Sequence, residues 1–154
     1  MSTHYFTRAG FARLRETIAA VEGQSDEALR LMGEACSQSA ETFHDNAGHE
    51  YGKAQAEMWG HRLGELRKVL ASAQVHDPAL TGDEVMFGRT VTFEDLASGE
   101  SSTIIIGSYM VFDRGSTVSY VSPIALLLRG GKAGDVRAGK IGDRHRRLRI
   151  ISVT

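Results

Sequence analysis

Two stretches of the chain carry apolar residues at alternating steps of three and four, which restricts the first half to helical structure. The first stripe, interrupted by Ser25, holds Phe11, Leu14, Ile18, Val21, Ala28, Met32 and Ala35. The second holds Ala56, Trp59, Leu63, Leu66 and Leu70. A narrow apolar seam of this kind is typical of two helices packed as a coiled coil. We predict helices from about Ala9 to Ser39, with Thr7 as N-cap, and from about Asn46 to Ala73.

Six glycines lie within these predicted helices: Gly23, Gly33, Gly48, Gly52, Gly60 and Gly64. Each costs about 1 kcal/mol relative to alanine in a helix interior. A glycine on the seam, however, lets two helix backbones approach closely. We therefore expect a slender hairpin that is less rigid than an idealised coiled coil.

The turn between the two helices is acidic. Glu41 and Asp45 flank it, and Asn46 follows Asp45 directly. A hairpin that ends in acids can carry carboxylates into a pocket of another molecule. Asp45 can equally cap the second helix, whose N-terminus favours a carboxylate. The residues alone leave both interpretations open.

After Pro78 the pattern becomes β-like, with short runs rich in β-branched and aromatic residues between turn formers. The predicted strands are Val85–Phe87, Thr90–Phe93, Ser101–Ile106, Val118–Val121 and Leu148–Val153. Ser122 and Pro123 predict the start of a short helix that Gly130 and Gly131 end. The fold class is therefore α+β: a helical hairpin domain at residues 1–76 and, after a linker around residues 78–83, an antiparallel sheet domain at 77–154 with one short helix.

Composition narrows the function classes. The net charge of −1 over 154 residues gives no bulk attraction to nucleic acid or membrane. No apolar run approaches the roughly 20 residues that span a bilayer, and the N-terminus does not resemble a signal peptide. The single cysteine, Cys36, excludes a disulfide within the chain, and we expect a cytoplasmic protein.

Other chemistry-bearing residues favour no site of their own. No motif places a histidine beside Cys36, which argues against a catalytic thiol. His44 and His49 are five residues apart and not the four that would align them on a helix face, so we expect surface positions. The basic cluster Arg144, His145, Arg146, Arg147 and Arg149 is expected on an exposed sheet edge.

Taken together, these segments resemble the GreA/GreB family of bacterial transcript cleavage factors over nearly the whole length. In the second half the resemblance rests on Phe87-Gly88, Thr90-Val91-Thr92, Val121-Ser122-Pro123-Ile124-Ala125, Gly130-Gly131-Lys132 and Gly134-Asp135-Val136. In the first half it rests on Leu14-Arg15, Glu34-Ala35, Asn46-Ala47 and Ala73-Gln74-Val75. Each motif alone is weak, and their order and spacing together are specific.

The resemblance implies an amino-terminal coiled coil and a carboxy-terminal domain related in fold to FKBP-type prolyl isomerases. It implies that the partner is bacterial RNA polymerase, whose secondary channel the coiled coil enters. Tip acids, here Asp45 and Glu41, would help to hold a Mg²⁺ in the polymerase active centre, so that the 3′ end of backtracked RNA is hydrolysed. The factor would then have no cofactor and no enzyme activity of its own. Asn46, Lys53, Ser122, Pro123 and Ile124 are the residues expected to contact the partner.

The tip departs from the family pattern, which has Asp, two further residues, Glu and then Asn-Ala. Asp45 stands in the Glu position, Thr42 stands where the Asp is expected, and Glu41 is one residue out of register. Three hypotheses follow: a cleavage factor, a non-cleaving regulator that occupies the same channel, and a free-standing prolyl isomerase. The third is disfavoured because the second half carries few aromatic residues to line a peptide pocket.

Overall fold

A computed structural model of the chain describes residues 2–38, 47–77, 81–113 and 115–154. These residues form two compact units. The helical unit is Arg13–Ser72, and the sheet unit combines Met1–Ala12 with Ala73–Thr154. The fold class is α+β as predicted, with two long helices followed by a sheet and a short helix.

The two long helices are α1 (Arg8–Gln38) and α2 (Ala47–Ala71), within two residues of the predicted bounds. Thr7 caps α1 as predicted, because its Oγ1 accepts a hydrogen bond from the Gly10 N–H at 3.0 Å. The predicted seam is the buried side of α1, where Leu14, Ile18 and Val21 are at most 8% exposed. Even the polar Ser25 is only 9% exposed, so it is on the buried side of the helix with the apolar residues of the seam.

As the residue numbers rise along α1, the numbers of the residues that it contacts on α2 fall, so α1 and α2 are antiparallel. Arg67 donates to Glu22 at 2.7 Å, and further along Gly52 lies against Met32. Cys36 Sγ then contacts His49 Nδ1 at 3.0 Å. On α2 the fully buried residue is Leu66. Burying a leucine stabilises a fold by roughly 1.5–3 kcal/mol, so this seam holds the pair together.

The sheet unit contains a five-stranded sheet in the order β5-β4-β3-β7-β6. Its strands are β3 (Thr90–Asp95), β4 (Ser101–Gly107), β5 (Thr117–Ser119), β6 (Val136–Ile141) and β7 (Arg144–Val153). Helix α3 (Pro123–Leu128) lies near β6, where a side chain at Gly139 would meet Leu127. The core is apolar and holds Val91, Phe93, Ile104, Ile106, Leu128, Leu148 and Ile150 among others.

Two details of the sheet differ from the sequence prediction. The sheet is antiparallel except that β5 runs parallel to β4, with Thr117 opposite Ile105. The predicted strand Val85–Phe87 is wrong. Gly88 has φ 87°, which turns the chain, and Val85 makes only two isolated backbone bonds, with Gly130 and Gly131.

A second, two-stranded sheet was not predicted. Strand β1 (His4–Phe6) pairs in parallel with β2 (Ala73–Val75), with His4 opposite Ala73. The pairing continues as the His76 N–H donates to the Phe6 carbonyl oxygen at 2.8 Å. The segment before α1 is thereby joined to the segment after α2.

Strand β1 is also bonded to the segment that follows β4. The Tyr109 N–H donates to the Tyr5 carbonyl oxygen at 2.9 Å, and the Thr7 N–H donates to Ser108 Oγ at 3.0 Å. Ser108 is only 4% exposed and lies against the first turn of α1 at Gly10. The first turn of α1 therefore depends on a glycine.

Residues 81–83, the described part of the linker, are held in place by an arginine and a lysine side chain. Arg89 donates to the Gly82 carbonyl oxygen at 2.7 Å, and Lys132 Nζ lies 3.0 Å from Asp83 Oδ1. The hydrogen bond from Lys132 lowers the pKa of the Asp83 carboxyl and raises the pKa of the lysine. Both side chains of this pair are at least half exposed, so the pair contributes little to stability.

We predict opposite effects for two glycine-to-alanine substitutions in α1. In Gly10→Ala the new Cβ would clash with Ser108 Oγ, which forces the first turn of α1 away from Ser108. We expect a loss of about 1–3 kcal/mol in the free energy of unfolding. Gly23→Ala meets no atom within 4 Å and should gain up to about 1 kcal/mol. Urea denaturation of both variants checks this, and equal gains would contradict the packing at Ser108.

Candidate functional site

The acidic tip predicted from the sequence, with Glu41, Asp45 and Asn46, lies outside the described residues. The roles of these three residues therefore stay predictions. What the structure describes is how the two helices approach each other on either side of the tip. That approach limits how wide the hairpin can be there.

Gly52 provides the close approach expected of a glycine on the seam. A Cβ built on Gly52 would lie 3.2 Å from both Cα and Cβ of Met32 on α1. Gly23, Gly33, Gly60 and Gly64, by contrast, would meet nothing within 4 Å. One helix glycine is therefore in the interface near the tip, and these four lie away from it.

Nearer the tip, Cys36 and His49 meet across the two helices. Their Sγ and Nδ1 atoms are 3.0 Å apart; Cys36 is exposed and His49 is half-buried. The sequence offered no motif that joins this thiol to a histidine, because the two residues come from different helices. His49 is half-buried and not the surface residue that was expected, and it is the histidine that no motif had placed beside Cys36; His44 lies outside the described residues.

Lys53, expected to contact the partner, lies on the exposed side of α2. Among the residues that the structure describes, it has no ion pair. Tyr51, two residues earlier, is 68% exposed. This part of α2 therefore presents an unpaired ammonium and an aromatic ring to the surroundings.

The other expected contact residues begin helix α3 in the sheet unit. Ser122 is its N-cap and accepts from the Ala125 N–H at 3.4 Å, and Pro123 is in the first turn, as predicted. Pro123 is exposed, whereas Ile124 is half-buried against the core. Val121 and Leu126 are 43% and 47% exposed. The start of α3 thus offers apolar surface on a rigid, capped helix.

The basic cluster lies on β7, which pairs with β6 along Arg144–Arg149 but with β3 only from Leu148 onward. The predicted exposed edge therefore holds for Arg144–Arg147, which have a strand partner on one side, and not for Arg149, which lies opposite Glu94 of β3. Arg146 is paired with Asp95 at 3.0 Å and Arg149 with Glu94 at 3.4 Å. Both acids come from β3, the neighbouring strand, so part of the cluster serves to hold the sheet together.

Sequence analysis also missed a cavity of about 410 Å³ in the sheet unit, lined by Tyr5, His76, Phe87 and Tyr120. The few aromatic residues of this half were taken as too few to form a pocket. They suffice because the β1–β2 pairing adds Tyr5 and His76. No local sequence signal joins four residues from four separate segments.

Elsewhere the described chain shows no ready-made metal centre. Within residues 2–38, 47–77, 81–113 and 115–154, no three His, Cys, Asp or Glu side chains are grouped so that they could hold a metal ion. No helix in the same ranges is long and apolar enough to cross a membrane.

Comparison with known proteins decides the family. Residues 80–154 match the family model "Transcription elongation factor, GreA/GreB, C-term". The transcription elongation factor GreA of Desulfovibrio desulfuricans is 30% identical over 82% of this chain and 78% of its own. GreA of Polaromonas naphthalenivorans is 31% identical over 99% of this chain and 98% of its own.

The chain belongs to the GreA/GreB family. Among solved structures it is similar to GreA factor homolog 1 (Gfh1) of Thermus thermophilus, with 23% identity, a TM-score of 0.47 and 99% of both chains covered. The relatives at 30% and 31% identity confirm the family assignment made from the sequence.

The close approach at Gly52 leads to a prediction for the hairpin near its tip. Gly60→Ala adds a methyl group into open space on the same helix and should gain about 1 kcal/mol of unfolding free energy. Gly52→Ala has the same propensity gain, but its Cβ pushes against the backbone of Met32. We expect a net loss of up to about 2 kcal/mol. Thermal unfolding followed by circular dichroism at 222 nm measures both, and a gain at Gly52 would contradict the contact.

Proposed function

We propose that this GreA/GreB factor binds bacterial RNA polymerase at the secondary channel and stimulates the polymerase's own cleavage of backtracked RNA. The observation that carries the proposal is the alignment with a GreA elongation factor over 98% of that protein's length. Both the hairpin and the sheet unit of such a factor are therefore present in this chain. The nascent RNA is contacted only through its 3′ end, and the site of action is the cytoplasm.

At the tip, the factor would contribute metal ligands to the active centre of another protein. Asp45 and Glu41 would hold a Mg²⁺ together with groups of the polymerase, because Mg²⁺ prefers hard oxygen ligands and needs only one or two carboxylates. Bound there, the ion would activate water and neutralise charge on the attacked phosphate. Two carboxylates are too few to hold Mg²⁺ tightly, so the isolated factor has no nuclease activity.

The remaining contact residues then have a positioning role. The capped start of α3, with Ser122, Pro123 and Ile124, would anchor the sheet unit on the polymerase. Lys53 and Asn46 would contact the polymerase or the RNA beside the tip. The exposed apolar surface at Val121 and Leu126 favours such an anchor, because it would be removed from water on binding.

A second candidate is a regulator that occupies the channel without stimulating cleavage. The position of Thr42 favours it, because a residue without charge stands where the family has its first acid. Such a factor would bind polymerase and compete with other channel ligands. The two candidates share the docking surfaces and differ only in the tip.

The deciding experiment incubates stalled, backtracked elongation complexes carrying end-labelled RNA with the protein and Mg²⁺. We expect 3′ shortening of the RNA, and Asp45→Asn should slow it roughly 10- to 100-fold. Asparagine caps a helix about as well as aspartate does, so this variant keeps the cap and removes the charge. A slower rate is then assigned to the carboxylate and not to the fold of the tip.

Two further variants separate the candidates. Thr42→Asp restores the expected acid and should raise the cleavage rate, whereas Thr42→Ser changes the same position without adding charge and should leave it unaltered. Binding to polymerase is measured in parallel and should be the same for all variants. Binding without any RNA shortening, unchanged by Asp45→Asn, would reject cleavage and support the non-cleaving regulator.

A further inference from the structure

The cavity of the sheet unit is bounded by a closed ring of four aromatic side chains, which we call the aromatic cage: Tyr5, His76, Phe87 and Tyr120. Neighbouring ring centroids are 6.0, 6.0, 5.7 and 6.3 Å apart around the circuit. The planes of neighbouring rings are inclined to each other by 50° to 84°. The four rings are therefore not stacked face to face, and together they line the cavity.

The cage is held by the backbone and not only by its own rings. Tyr5 lies in β1, which is bonded to β2 on one side and to Tyr109 on the other. The Tyr5 N–H donates to the Tyr120 hydroxyl oxygen at 3.3 Å, which fixes the Tyr120 ring beside β1. Tyr109 lies behind it, 6.4 Å from the Tyr120 ring and 3.7 Å from the ring of His4. The cavity is therefore formed before any ligand arrives.

The dimensions suit a cation. A cation is attracted by an aromatic face when it lies within roughly 6 Å of the ring centroid. The four centroids are near 6 Å from their neighbours, so a point at the centre of the circuit is closer than that to each ring. Of the described residues that line the cavity, none is a lysine or an arginine. Arg8, close to Tyr5 in the chain, is 83% exposed and paired with Asp77, so it does not fill the cage.

The polar atoms of the cage favour a guanidinium over an apolar side chain. The cage residues carry two hydroxyls and one imidazole, which are groups that can accept hydrogen bonds and that a proline or leucine side chain cannot use. Arginine presents five N–H donors on a flat, weakly hydrated group that stacks on aromatic faces. An ammonium is more strongly hydrated and loses more on leaving water.

We propose that the aromatic cage binds an arginine side chain presented by a partner protein. The cage shares no residue with the tip and does not depend on RNA cleavage, so the proposal goes beyond the function proposed above. It stands whether the factor stimulates cleavage or only occupies the polymerase.

The test uses the full-length protein, isotope-labelled and followed by NMR, and three capped peptides that differ in one residue. These are acetyl-Gly-Arg-Gly-amide, the same peptide with citrulline, and the same peptide with proline. Citrulline keeps the shape of arginine and lacks its charge. We expect saturable shifts confined to the cage with the arginine peptide, and roughly three- to tenfold weaker binding of the citrulline peptide.

Two variants assign the effect to the rings. Tyr5→Leu and Phe87→Leu each keep apolar bulk and remove one aromatic face, and each should weaken the arginine peptide roughly three- to tenfold. Tyr51→Leu removes a more exposed ring, in α2 and outside the cage, and should change nothing. Preserved amide shifts outside the cage show that the variants are folded.

The outcomes are distinct. Equal binding of the arginine and citrulline peptides, or shifts that do not map to the cage, would overturn the proposal. Tighter binding of the proline peptide would overturn it in favour of an apolar peptide groove. Absence of cleavage in the RNA assay would leave the arginine result untouched, because that assay reports on the tip alone.

Discussion

The pairing of β1 with β2 is the constraint on which the sheet unit depends, because it joins segments at the two ends of the helical hairpin. Tyr5 and Phe6 in β1 are opposite Gln74 and Val75 in β2, although more than sixty residues separate them in the sequence. Closing so long a loop costs chain entropy that short-range contacts do not recover. Phe6, fully buried, and the bonds from β1 to Ser108 and Tyr109 offset that cost.

The same pairing explains why the hairpin tolerates glycines. Helices with several glycines, such as α2 with four, are weak by propensity, and most of their stability has to come from packing along one face. Leu14 and Leu66 are fully buried, and Thr7 caps α1. Because the β1–β2 pairing fixes the start of α1 and the end of α2, a few seam contacts suffice to hold the remaining length of the two helices together. Gly52 then brings the backbones together near the tip, where the proposed entry into the polymerase channel would require a narrow hairpin.

How much the sequence could predict follows from the range of each interaction. Both long helices, the Thr7 cap and the Ser122-Pro123 start of α3 were predictable because periodicity and capping act within a few residues. The β1–β2 pair, the parallel β5 and the aromatic cage were not, because each depends on partners far apart in the chain. Val85–Phe87 was predicted as a strand from its composition, yet the turn at Gly88 overrides that preference. The tip lies outside the described residues, so the metal-binding roles of Asp45 and Glu41 remain predictions from the sequence.

The hairpin and the sheet unit place different demands on their residues. In the proposed function, the carboxylates at the tip need not be rigid, because ligands of the polymerase would complete the coordination, so that Glu41 could supply an oxygen although it is one residue out of register. Docking, in contrast, gains affinity from surfaces that are formed in advance, since ordering them on binding would cost entropy. The start of α3 is capped by Ser122, and the cage is held by β1 and Tyr120, so both surfaces meet that demand. Sequence change at the tip can therefore alter the chemistry while leaving the attachment intact, which is how one architecture can support a cleaving and a non-cleaving factor.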